Sequence, residues 1–275
     1  MSARRHIGFI GVGAIAEALV RGLGAGGELA AGIHLTPRNA ATAARLAAEF
    51  AYVTVEGDNQ AVIDASEIVF LAVTPQVAEW VLGPLTFRPD QRIVSLVATF
   101  KVAKLRPLVA PAHRIFRAAP TPAVARRMGA LTLCPPDPEI AGLLDGLGQL
   151  IQLDDEADID TYWAVTGLMA SYFGFLEAVS LWLSRHGQDA SAAAGYVAAT
   201  FHGLGSTAET GAKGGFVQLI HDHTTPGGLN EQALRELQAA GWTDRIGEVL
   251  DLIHARIEGR AGLADTLPRA DVGRS

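Results

Sequence analysis

The sequence predicts an α/β fold in two parts, a doubly wound parallel sheet followed by an all-helical domain. Three observations predict it. Short β-rich runs alternate with helical stretches through the first half of the chain. A glycine-rich turn follows the first of those runs directly and opens a helix. After "DDEADID", Asp154–Asp160, strand-like runs cease and the apolar residues recur at helical spacing.

The elements follow in order. His6–Ile10 is a short apolar run, and Ala14–Gly24 carries the alanines and leucines of a helix packed on it. Ile33–Thr36 is the second strand and Ala40–Phe50 the second helix. Ile68–Val73, Arg92–Val97, Arg114–Arg117 and Leu131–Cys134 continue the series, and Ile151–Asp154 closes it. Strands that alternate with helices form a parallel sheet covered on both faces, so they are apolar throughout. The helical part comprises Asp160–Arg185, Ser191–Gly211, Asn230–Ala240 and Thr243–Ile257. The expected domains are 1–156 and 157–260, with a polar, frayed tail over 261–275. Trp163, Phe173, Phe175, Leu176, Trp182 and Leu183 make the Asp160–Arg185 helix apolar all round. Such a helix is buried, between two subunits or within one. We read it as the interface of a homodimer built from the C-terminal helices.

Composition bounds the function. The net charge of −7 argues against a nucleic-acid partner, whose phosphates need a basic face. One cysteine, Cys134, allows no intrachain disulfide and reads as a buried strand residue. "MSARRHIGFIGVG" lacks the apolar core and cleavage site of a signal peptide. The apolar stretches further on are broken by polar residues before membrane-spanning length, so a soluble cytoplasmic protein is expected.

"HIGFIGVGAIAEAL" holds the pattern Gly11-x-Gly13-x-x-Ala16 between strand and helix. Gly11 makes the tight turn, Gly13 admits a pyrophosphate close to the backbone, and Ala16 lets helix and strand approach. The amides of Ala14, Ile15 and Ala16 lie at the helix start, where an anion is favoured. This is a dinucleotide-binding turn in its proper context. NAD enzymes of this kind carry an acid about 20 residues further on for the ribose hydroxyls. Here that place holds Thr36, Pro37, Arg38 and Asn39. An acid would repel a 2′-phosphate, whereas Arg38 can pair with it and Thr36 and Asn39 can donate hydrogen bonds. The expected cofactor is NADP(H). The third strand opens into "FLAVTPQ", which puts Ala72, Val73, Thr74 and Pro75 at the ligand edge of the sheet, and Ala98 and Ala119 end later strands at the same edge.

These pieces, in this order, resemble the Δ1-pyrroline-5-carboxylate reductase family. The resemblance runs from residue 6 to about residue 257. It rests on "IGFIGVGAIAEALVRGL", "LAVTPQ", "RAAPTPAV", "AVTGLMASYFGFLEA" and "TTPGGLNEQAL". It implies an N-terminal Rossmann domain, a dimerising helical domain with interleaved helices, and NADPH-dependent reduction of a cyclic imine to a secondary amine, proline in the parent case. It implies substrate contacts from Ser171, Thr224, Thr225, Gly227 and Gly228.

The departures from the family pattern fall at the substrate end. Met169, Tyr172 and Phe173 replace small residues and a proline; Thr74 stands for a lysine and Pro120 for an asparagine. Asn230 takes the place of a threonine expected to hold the substrate carboxylate. The expectation is therefore a reductase of a cyclic imine with an altered pocket. The alternative is a non-catalytic NADP-binding sensor or partner-binding protein descended from one. A hydroxyacid dehydrogenase would need a lysine in Asp160–Arg185, which has none.

Hydride transfer to an imine also needs a proton on nitrogen. A substrate that arrives as iminium brings its own; otherwise Tyr172 is the candidate donor, with Thr166 as its hydrogen-bonding helper. The competing reading of Tyr172 is a core tyrosine whose hydroxyl is satisfied by backbone. His221 and His223 are two apart without an evident third ligand, so no metal is expected.

Overall fold

The computed structural model describes residues 5–26 and 31–262. Eight strands form one sheet: β1 (His6–Ile10), β2 (Gly32–Leu35), β3 (Val53–Val55), β4 (Ile68–Leu71), β5 (Arg92–Ser95), β6 (Arg114–Pro120), β7 (Ala130–Cys134) and β8 (Gln149–Gln152). Their order is β3-β2-β1-β4-β5-β6-β7-β8. All neighbours are parallel except β6 and β7. The chain order reverses between β1 and β4, which opens a crevice beyond their carboxyl ends.

Helices cover both faces: α1 (Ala14–Ala25), α2 (Ala40–Glu49), α3 (Asn59–Asp64), α4 (Ala78–Leu82), α5 (Val102–Leu105) and α6 (Pro138–Leu144). Alternation divides each strand between them. Ile68 and Phe70 of β4 join one apolar core with Leu19, Leu35 and Leu46, while Val69 and Leu71 join the other with Ile63, Leu82 and Ile93. Phe9 and Phe70 stack across β1 and β4 at 4.9 Å.

Three features differ from the expected elements. β3 is only Val-Thr-Val, too short to announce itself in sequence. β7 runs antiparallel because a single 3-10 turn, Pro122–Arg126, returns the chain beside β6. The helix expected over Asp160–Arg185 is two, α7 (Glu156–Thr166) and α8 (Met169–Arg185). The break is at Gly167–Leu168, whose amides bond three residues back to Ala164 and Val165.

By compactness the chain divides at Trp163/Ala164. The described residues before that point, with those from His254, form one unit, and Ala164–Ile253 form the other. The expected flexible tail, 261–275, lies outside the described residues from 263 on.

The second unit consists of α8, α9 (Ala190–Gly211), α10 (Phe216–His223), α11 (Leu229–Ala239) and most of α12 (Trp242–Ile257). α8 packs on α9, with Phe175 edge-on to Phe201 at 5.1 Å. Yet, among the residues of Ala164–Ile253 whose burial is described, Ala164, Ala193 and Val197 are the only buried apolar ones. An 18-residue window within Glu156–Arg185 has a mean hydropathy of 1.4, so by length and composition alone the stretch is apolar enough to cross a membrane. The expectation that no segment reaches that length is therefore corrected. It failed because the charged residues of the stretch cluster towards its ends and leave an 18-residue window with few of them.

Candidate functional site

The glycine turn sits at the mouth of the crevice. Gly11 has φ +97°, and a Cβ there would lie 2.7 Å from the carbonyl oxygen of Ala72. Only glycine accepts both conditions without strain. Gly13 caps α1, and a Cβ on it would enter open space. No side chain caps the first turn of α1, which leaves the amides of Ala14, Ile15 and Ala16 for a ligand. Ala16 is fully buried under that turn.

The residues after β2 divide their work. Thr36 is fully buried, and its Oγ1 accepts from the Gly11 amide at 3.2 Å. Asn39 adopts a left-handed backbone, φ 62°, and its Nδ2 donates to the Val12 carbonyl at 2.9 Å. Both brace the turn from outside. Arg38 between them is exposed and makes no ion pair among the described residues. The acid in the first turn of α1, Glu17, is already spoken for. Its hydrogen bond from Arg45 holds its carboxyl below the ordinary range, with Arg21 adding to the effect.

Two adjoining cavities follow the turn. A smaller one, about 210 Å3, is lined by Gly11, Gly13, Arg38, Asn39, Ala72, Val73 and Thr74. A larger one, about 480 Å3, shares Gly11, Arg38 and Val73 and extends to Thr36, Asn59, Trp80 and Leu85. Free helix amides, a glycine with open space above it and an unpaired guanidinium beyond β2 fit a phosphorylated dinucleotide. Pro75, Ala98 and Ala119 line neither cavity. Ala98 follows β5, and Ala119 lies buried in β6 opposite Thr132.

Arg117 was not foreseen as a site residue. It is fully buried in β6, one strand residue from Ala118–Ala119. Its Nη1 donates to Asp160 at 2.7 Å and to Glu156 at 3.1 Å, and its Nη2 donates to the Ala98 carbonyl. The Trp163 ring lies 5.0 Å from the guanidinium. Lys101 Nζ stands 3.3 Å from the other Asp160 oxygen, an ion pair without hydrogen-bond geometry. The cluster ties α7 and the loop after β5 to β6. Its one signal in the sequence is a cation inside "RIFRAAP", a run otherwise suited to burial.

The other predicted residues lie in the helical unit. Thr166 ends α7, half-buried; Ser171 and Tyr172 stand exposed in the first turn of α8, with the Tyr172 and Phe173 rings 5.6 Å apart. Thr224, Thr225, Gly227 and Gly228 form the turn from α10 to α11. Thr224 donates back to Ile220 at 2.6 Å, and the Gly228 amide donates to the Thr225 carbonyl at 2.8 Å. Asn230 Nδ2 donates to the His223 carbonyl at 2.9 Å, and the Gly227 amide donates to the Glu231 carboxylate at 2.7 Å. The turn is thus held by its own side chains, with the Glu231 carboxylate on the Gly227 amide. His221 and His223 are on α10, and His223 Nδ1 lies 2.8 Å from the Leu219 carbonyl.

A Rossmann sheet with this turn, followed by a separate helical unit, fits an NADP(H)-dependent oxidoreductase. The family model described as "NADP oxidoreductase coenzyme F420-dependent" matches residues 6–99, and the one described as "Pyrroline-5-carboxylate reductase dimerisation" matches residues 156–259. Pyrroline-5-carboxylate reductase of Pseudomonas aeruginosa is 32% identical over 266 residues, 91% of this chain and 95% of that protein. The crystal structure of 1-pyrroline-5-carboxylate reductase from Streptococcus pyogenes superposes with a TM-score of 0.80 at 24% identity, covering 94% of this chain and 100% of that one. A reductive aminase from Aspergillus terreus, in complex with NADPH4, cyclohexanone and allyl amine, reaches 0.56 at 21% identity, over 94% of this chain and 96% of its own. The chain belongs to the pyrroline-5-carboxylate reductase family, whose members are NAD(P)H-dependent oxidoreductases acting on carbon–nitrogen double bonds.

Proposed function

We propose that this protein reduces a cyclic imine to a secondary amine with NADPH, working as a homodimer, in a pocket altered from that of the proline-forming enzymes. The observation that carries the cofactor part is Arg38, unpaired beside an uncapped glycine turn with no acid at the end of β2. Arg38 takes the 2′-phosphate, and the amides of Ala14, Ile15 and Ala16 take the diphosphate. Thr36 and Asn39 act through the turn they brace. Bound NADPH supplies the hydride. Ala98, Ala119 and the Ala72–Pro75 loop form the edge that keeps its reactive end oriented.

Thr224, Thr225, Gly227, Gly228, Ser171 and Asn230 bind the substrate ring. Tyr172, helped by Thr166, protonates the nitrogen unless the ring arrives as iminium. The altered pocket rests on three features of this chain: the phenol of Tyr172, the carboxamide of Asn230 engaged with His223, and the Glu231 carboxylate on the Gly227 amide. A carboxylate already at that amide disfavours a second one, which argues for a ring that is less anionic than the parent substrate.

The dimer is supported by what residues 157–260 lack. Among the described residues of Ala164–Ile253 only three apolar side chains are buried, while Phe173 is 66% exposed, Trp182 54% and Tyr196 70%. A second copy covers these better than lipid does, because the matched domain is a dimerisation domain. With that face covered, the protein stays in the cytoplasm.

NADPH consumption is to be followed with a panel of five- and six-membered cyclic imines, pyrroline-5-carboxylate among them. Turnover is expected on a ring imine, faster without the carboxylate than with it. Tight NADPH binding with no turnover on any member would replace this reading by that of a sensor.

A further inference from the structure

We infer that Trp80 is an aromatic platform for the adenine of the cofactor and sets the affinity for the adenosine half of NADPH; this rests on the NADP(H) reading above. α4 is a short helix fixed by Ala78, Val81 and Leu82, all buried. Trp80 turns outward from it beside the charged Glu79 and is 78% exposed. An indole left so open loses the transfer energy that burial would give it. Its position suggests a use for that surface.

Trp80 lines the larger cavity together with Arg38, Asn59, Pro84 and Leu85. That cavity shares Gly11, Arg38 and Val73 with the smaller one along the glycine turn. A ligand whose diphosphate sits on the α1 amides and whose 2′-phosphate sits on Arg38 has one part left to place on this side, the base. The space, about 480 Å3, accepts it, and its walls supply an aromatic face and apolar contacts. Purines stack on such faces without needing hydrogen-bond partners. Asn59, at the first position of α3, adds one polar group in the same cavity. Trp80 therefore takes the base while Arg38 takes the phosphate, and the two read different parts of one nucleoside.

The test uses the full-length protein and two probes, NADPH and adenosine 2′,5′-bisphosphate, which carries the base and the 2′-phosphate without nicotinamide. Trp80→Ala is expected to raise Kd for both by about 10-fold, the scale of base stacking on an aromatic residue. Trp80→Phe is expected to restore Kd to within about 3-fold, since a smaller ring still stacks. In the wild type, adenosine 2′,5′-bisphosphate should quench tryptophan emission, and in Trp80→Phe that quench should disappear although binding persists. Unchanged Kd values in a folded Trp80→Ala protein, or an undiminished quench in Trp80→Phe, would overturn the inference and leave the NADP(H) reading intact. A wild type that binds neither probe would overturn both.

Discussion

Replacing Arg117 by methionine removes a buried cation and keeps the length of its chain. Arg117 and Asp160 are both fully buried and joined at 2.7 Å. Without the guanidinium, Asp160 remains as an uncompensated charge inside the protein. Breaking one side of such a pair costs about 3–5 kcal/mol. Lys101, 3.3 Å from the other oxygen of Asp160 and partly solvated, offsets some of this, so the low end applies. The Ala98 carbonyl and one face of Trp163 lose their partner as well. At about 2–4 °C per kcal/mol for a chain of this size, Tm falls by roughly 6–12 °C. The assay is thermal unfolding by circular dichroism at fixed protein concentration, because an oligomer's Tm depends on it. Arg117→Met with Asp160→Leu, which removes both charges, should recover most of the loss. A Tm within about 2 °C of wild type for Arg117→Met alone, or a double variant less stable than the single one, would refute the view that this pair is an obligate charge balance.

Three more outcomes follow. Gly11→Ala places a Cβ 2.7 Å from the Ala72 oxygen at a positive φ, so it should cost about 1–3 kcal/mol and abolish measurable NADPH binding in titrations of cofactor fluorescence. Burial pushes the Cys134 thiol up from 9.0 to about 11, with Glu156 adding to the effect. At pH 8 its thiolate fraction, and so its alkylation rate in the folded protein, should be about 100-fold below that of the unfolded chain, as read by mass spectrometry. Because the folded value is the raised one, this group's contribution to stability is complete below pH 9 and is lost as pH rises through about 11. Phe173→Asp replaces a ring that is 66% exposed in one copy by a charge, and light scattering after gel filtration should show monomers at micromolar concentration; an unshifted dimer mass would move the interface off α8.

The sheet and the glycine turn were legible because backbone rules govern them. A strand buried on both faces must be apolar, and a turn with the geometry of Gly11 tolerates one residue type, so both leave marks a single sequence carries. Arg38 was legible for a related reason: an acid missing from a place that NAD enzymes fill. The roles of its neighbours were not, because whether Thr36 and Asn39 face a ligand or brace the turn depends on burial and on the left-handed backbone at Asn39. Arg117 escaped notice because its partners, Glu156 and Asp160, lie 39 and 43 residues away in the chain. β3 and the break at Gly167–Leu168 are too brief for periodicity to register. Trp80 lies in a five-residue helix where nothing local distinguishes a platform from a core residue.

The central claim is that the end of β2 receives a 2′-phosphate through Arg38. Dissociation constants for NADPH and NADH, measured side by side in wild type and Arg38→Ala, test it directly. A charge-assisted contact of this kind is worth about 1.5–3 kcal/mol, and the exposure of Arg38 favours the lower figure. NADPH should therefore bind roughly 10-fold more weakly to the variant, while NADH binds as before. Equal losses for the two cofactors, or none for either, would contradict the account.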